Sequence, residues 1–164
     1  AAIRDKIKEL HQVPGDHVMV TATHNHAGPA VINEALPRDE KYIARMIEGA
    51  AQAVGQALAA RQDAEMTVGA AFEWDVAYNR RVIMRDGTAR THGRFNDPDA
   101  LTHEGPIDPE VAVLAVRGAD GAFKGAVVNF ACHPTHHGGE QFFSAGYPGA
   151  LARELKAKGI PGIR

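Results

Sequence analysis

The chain is short of several things, and each shortage removes a class of function. It has one cysteine, Cys132, so an intrachain disulfide framework and a cysteine-based zinc knuckle are both excluded. It has one serine, Ser144, in no Gly-x-Ser-x-Gly elbow, which argues against a serine nucleophile of the α/β-hydrolase kind. No apolar run approaches the roughly 18 residues that a membrane-spanning helix needs. Charge is nearly balanced, with 18 Lys+Arg against 20 Asp+Glu for a net −2. With no basic block, nothing supports a nucleic-acid partner. Internal repeats and low-complexity stretches are absent too. The chain opens Ala1-Ala2-Ile3-Arg4, with neither an initiator Met nor a signal-peptide pattern. It closes Gly159-Ile160-Pro161-Gly162-Ile163-Arg164, where a new strand looks about to start. The expectation is a single segment, 1–164, of a larger catalytic domain, cut at both ends, rather than a short protein with a processed N-terminus.

What is present is a globular composition and many histidines. The 164 residues are 45% hydrophobic and 23% charged, which argues against disorder. A domain of this size can bury about 68–70% of its unfolded surface. Nine histidines, at 11, 17, 24, 26, 92, 103, 133, 136 and 137, direct attention to metal chemistry, because neutral imidazole is the commonest metal ligand.

Apolar spacing predicts a helix over 3–12 on Ile3, Ile7 and Leu10, broken by Val13-Pro14-Gly15-Asp16. Val18–Thr23 reads as a buried strand. Residues 39–60 form the clearest helix: Tyr42, Ile43, Met46, Ile47, Ala50, Ala51, Val54 and Leu58 make one stripe. Residues 65–78 are rich in β-formers, and 85–106 read as a long polar loop. Apolar runs at 111–116 and 125–132 flank Ala119-Asp120-Gly121-Ala122, which predicts a hairpin stopped by Pro134. A helix is expected over 148–158, with Pro148 in its first turn and Gly159 past its end. The fold class expected is α/β or α+β, a mixed β-sheet flanked by helices.

Two stretches carry chemistry. In Thr21–Pro29, His24 and His26 stand two apart, so a strand running through them would project both rings from one face. Such a pair can supply two metal ligands, or one ligand and one substrate-binding group; the plainer alternative is two hydrogen-bonded histidines in a tight turn. In Asn129–Glu140, His133 precedes Pro134, which favours an extended backbone. His136 and His137 are either further ligands or loop histidines, and Glu140 is a candidate carboxylate ligand or base. Cys132 is expected as a buried strand residue facing away from His133. Imidazole and carboxylate oxygen suit zinc, which can leave a position for water. Asn79-Arg80-Arg81 ends the predicted strand 65–78 and offers a guanidinium for a developing oxyanion. A solvated, charged strand end is the commoner meaning of such a pair.

Four motifs in order resemble one family. Thr23-His24-Asn25-His26-Ala27-Gly28-Pro29 resembles the Thr-His-Thr-His-Ser-Gly-Pro of the neutral/alkaline, non-lysosomal ceramidases. Asn79-Arg80 follows, then Gly105-Pro106-Ile107-Asp108-Pro109 with Val111–Val116, Asp120-Gly121 and Asn129–Thr135, then Ser144–Gly149. The likeness runs from about residue 10 to residue 158. It implies a zinc amidase that cleaves the N-acyl bond of ceramide or a related lipid amide by metal-activated water, in sphingolipid metabolism. By position, His24 and His133 would be zinc ligands. His26 and Arg80 would contact substrate oxygens near the metal. The family completes its zinc shell with a Glu and a Tyr far downstream, beyond Arg164, so this segment alone should bind zinc weakly. Asn25 and Ala27 replace the usual Thr and Ser, and Gly146 stands where an Asp is common. The family resemblance alone suggests secretion or a periplasmic location. Two other functions stay open: a related zinc hydrolase for another N-acyl or ester substrate, and a non-catalytic metal-binding or interaction domain presenting the 85–106 loop with Arg85, Arg90, His92, Arg94 and His103.

Overall fold

The computed structural model describes residues 1–33, 37–94, 96–135, 137–139 and 141–160. Of the residues discussed above, His136 and Glu140 lie outside the described residues, as does the strand expected at the C-terminal end. The chain divides into two compact units, Ala1–Asp63 with Pro134–Leu155, and Ala64–His133 with the residues from Lys156 on. Among the described residues the mixture of helix and strand is the one expected. The strands form two small antiparallel sheets.

The first unit is built on helices. Helix α1 (Ala2–His11) and helix α2 (Glu40–Ala59) fall where the apolar spacing puts them. Asp39 caps α2: its carboxylate accepts from the Tyr42 N–H at 2.9 Å, satisfying one of the donors that a helix start leaves unpaired. The stripe on α2 holds, with Ala51 fully buried and Ile43, Met46, Ile47, Ala50, Val54 and Leu58 half-buried. Ile7 of α1 is 1% exposed, a burial that contributes about 2 kcal/mol. The two helices pack closely because Gly55 has no side chain: a Cβ there would stand 2.5 Å from Cε1 of His11. The His11 ring fills that space and its Nε2 lies 2.8 Å from the Ala51 carbonyl oxygen. Lys6 bridges Glu9 and Glu48 at 3.4 Å each, and Glu48 above all holds its ammonium above the usual range. Helix α3 (Gly146–Ala157) starts two residues earlier than predicted. Gly159 closes it, at φ +76 with its N–H on the Lys156 carbonyl.

Val18–Thr23 is not a buried strand. It pairs with no strand among the described residues and is largely exposed, Met19 reaching 84%. An extended apolar run without ladder partners gains no strand hydrogen bonds, and β-formers alone do not make a strand.

The second unit carries the strands. Strands β1 (Ala64–Phe72), β5 (Glu110–Gly118) and β6 (Phe123–Phe130) lie in the order β1-β5-β6. The Asp120-Gly121 turn joins β5 to β6, with Gly121 at φ +74. So short a connection can join only antiparallel neighbours, hence no mixed sheet here. β1 stops at Phe72, not at residue 78, because its partner runs out: Phe72 pairs with Glu110, and the preceding Pro109 can accept from the Glu73 N–H but has none to donate. The expected 85–106 loop instead holds most of a second sheet, β3-β2-β4, from β2 (Arg81–Met84), β3 (Ala89–Thr91) and β4 (Ala100–His103). Its hairpin turns at Asp86-Gly87, with Gly87 at φ +82, Thr88 on the Asp86 carboxylate, and the Met84 N–H on the Thr88 carbonyl. Val82 and Met84 form its core at 0% and 2% exposure.

Candidate functional site

His24 and His26 meet, though not by strand geometry. His26 makes one isolated parallel bridge, to Gly138. His24 sits at φ +64, in the left-handed region that non-glycine residues seldom adopt. Such a conformation costs of order 1 kcal/mol and persists only where neighbours enforce it. Here they do. The Thr135 hydroxyl donates to the His24 carbonyl oxygen at 3.0 Å. The Asn25 side chain donates to the Ser144 carbonyl at 2.6 Å and accepts from the Ala27 N–H at 2.6 Å. The Ser144 N–H returns to the Ala27 carbonyl at 3.1 Å. Two segments more than a hundred residues apart are thereby stitched around the pair. The two rings stand 4.5 Å apart between centroids, tilted by 60°. Their Nε2 atoms lie 2.5 Å apart, and both residues are exposed. At that separation the two ring nitrogens share a hydrogen bond, the plainer of the two arrangements the spacing allowed.

The segment opposite depends on Gly146, at φ +59. A Cβ there would collide with the Pro134 carbonyl oxygen. The Ser144 hydroxyl accepts from the Gly146 N–H at 3.1 Å. The position that resemblance would give to an Asp thus has no room for any side chain.

His133 is exposed and closes the second unit, one peptide bond before Pro134, where the first unit resumes. Cys132 differs from expectation: β6 ends at Phe130, the Cys132 N–H turns back to the Phe130 carbonyl, and the thiol donates to the His133 carbonyl at 3.7 Å. Burial pushes this thiol up from its usual value, which leaves it a poor thiolate ligand. His137 packs edge-on against Phe142, centroids 5.0 Å apart.

In the second unit, Asn79-Arg80-Arg81 is not a loose charged end. Arg81 forks onto both carboxylate oxygens of Glu104, Nη2 reaching Oε1 at 2.7 Å, and its Nη1 donates to the Thr91 hydroxyl at 3.2 Å. This pairing holds Arg81 above its usual range and the Glu104 carboxyl below its own. Arg80 is exposed and makes no ion pair among the described residues. One member of the pair is thus committed to structure, while the other presents its guanidinium to solvent.

Asn25, Thr135, Ser144 and Glu104 were not singled out for these roles by sequence reasoning. Asn25 carried a usable signal, since asparagine readily accepts from the N–H two residues on. The rest bond across long sequence separations and had none.

The chain is similar to the neutral ceramidase of Pseudomonas aeruginosa, with 28% identity over 127 residues. That alignment takes in 73% of this chain and 18% of the relative, so the chain spans less than a fifth of the relative's length. No family model matches the chain, and no solved structure matches it.

Proposed function

We propose that the chain is the histidine-bearing part of a larger zinc-dependent amide hydrolase that acts on ceramide or a related N-acyl lipid. The single observation that carries this reading is the meeting of the His24 and His26 ring nitrogens at 2.5 Å on a backbone held in a strained conformation. Strain of this kind collects at functional sites, and the similarity to a neutral ceramidase supplies the reaction class.

In this reading His24 and His133 are metal donors, each through one ring nitrogen. The donor chemistry suits zinc, for which neutral imidazole is an ordinary ligand. A bound zinc would supply Lewis acidity and a nucleophile available near neutral pH. The protein groups do the rest. His26 contacts the substrate carbonyl oxygen. Arg80 donates its guanidinium N–H groups to the oxygen as negative charge develops there. Water adds to the carbonyl carbon, the C–N bond breaks, and the nitrogen takes up a proton, which yields a free amine and a fatty acid. An open apolar hollow of about 430 Å³ in the first unit, lined by Ile3, Val20, Ile43, Met46 and Ile47 among others, is chemically suited to hydrocarbon.

The test uses the intact protein. His24→Ala should abolish hydrolysis of a fluorescent short-chain ceramide and lower zinc content. Normal activity with full zinc in that variant defeats the assignment. Zinc loss from a protein that hydrolyses neither lipid amides nor esters supports the non-catalytic metal-binding alternative. Activity on another N-acyl or ester substrate in place of ceramide supports the related-hydrolase alternative, which the departures at Asn25 and Ala27 favour.

A further inference from the structure

We propose that His103 is a positioning residue for Arg80, fixing the turn from which that guanidinium projects. The proposal rests on the reading of Arg80 as the group that meets the substrate oxygen. His103 ends strand β4, and its Nδ1 lies 2.6 Å from the Asn79 carbonyl oxygen. A carbonyl only accepts, so Nδ1 carries the hydrogen and donates. The Asn79 side-chain oxygen accepts in turn from the Arg81 N–H at 3.0 Å. Gly105 lets the chain pass close by: a Cβ there would stand 3.3 Å from the Asn79 amide nitrogen. The His103 and Tyr78 rings lie 6.3 Å apart. On the other side of Arg80, Arg81 is anchored to Glu104 and Thr91.

Both neighbours of Arg80 are therefore tied to β3, β4 and the residue after β4, while Arg80 itself is exposed. The effect is a guanidinium whose backbone is already ordered before substrate arrives, which lowers what binding must spend on orientation. The Arg81–Glu104 pair holds one side through a side chain. His103 holds the other through the main chain, where a lost bond lets the turn swing.

The experiment measures hydrolysis of a fluorescent short-chain ceramide by the intact protein carrying His103→Ala, His103→Asn, Arg80→Ala and the His103→Ala/Arg80→Ala double. The asparagine amide nitrogen can occupy the place of Nδ1, so it preserves the donor. His103→Ala should lower kcat/KM about 10- to 100-fold with an unchanged melting temperature. His103→Asn should recover most of the loss, and in the Arg80→Ala background His103→Ala should cost nothing further. Full activity of Arg80→Ala defeats the reading of Arg80 itself. A defective Arg80→Ala with His103→Ala at wild-type level, or an equal His103→Ala loss in both backgrounds, overturns the positioning role alone. If His103→Ala does not fold, His103→Leu, close in size and without a donor, carries the same expectations. Failure of both to fold makes His103 structural and overturns the proposal.

Discussion

The His24–His26 loop and the Asn79–Arg81 turn present their candidate side chains by opposite means. The turn is an extension of regular structure: Arg81 opens a strand, and its neighbours on β3 and β4 hold it through an ion pair and hydrogen bonds. The histidine loop has no ladder. It relies on a left-handed residue, an asparagine used at both ends of its amide, and a threonine hydroxyl from a distant segment. A sheet end positions a side chain through contacts that recur along the strand, so losing one is tolerable. A clamped loop concentrates the task in a few bonds, so each should matter more.

The sharpest way to break that comparison is Gly146. It packs without a Cβ against the Pro134 carbonyl, at a φ of +59 that L side chains resist. Gly146→Ala should destabilise the first unit by more than about 2 kcal/mol, through backbone strain and overpacking together. Denaturant unfolding of the variant measures it, and an unchanged midpoint would mean that the loop tolerates displacement. Asn25→Ala comes next. It removes one donor to Ser144 and one acceptor from Ala27, and should cost about 1–3 kcal/mol and, on the proposed zinc reading, lower zinc affinity with it. A loss of stability without a loss of zinc would separate the clamp from the ring geometry.

Much of the fold was legible where a period was long enough to read. The α2 stripe and the Asp120-Gly121 hairpin follow from local pattern alone. The same Asp-Gly signal stood at Asp86-Gly87, but the strands it joins, Arg81–Met84 and Ala89–Thr91, have three or four residues each, too few to show a period. Val18–Thr23 failed for the converse reason, because a β-rich composition says nothing about whether a partner strand is at hand. At the site, the residue pair was legible and its mechanism was not. Spacing two apart suggested a shared strand face, whereas the rings meet because His24 is turned into the left-handed region by bonds to residues 110 and more positions away. Those bonds depend on tertiary structure, and no local pattern encodes them.

The smallest expected effect lies in the sheet-anchored turn. Arg81, chiefly by hydrogen bonding, holds the Glu104 carboxyl below its ordinary 4.5. A depressed folded value means that the carboxylate's contribution is complete above the unfolded value and is lost as pH falls through the lowered folded one. Glu104→Gln removes that titration and keeps the side-chain shape. The variant should therefore lose little at neutral pH, where the pair is solvent-screened, and should show a flatter decline than the parent below about pH 4.5. Unfolding midpoints on both sides of that value test it. A Glu104→Gln protein as acid-sensitive as the parent would mean that Arg81 draws its hold from Thr91 and the strand ladder, and that the turn would keep Arg80 in place without the ion pair.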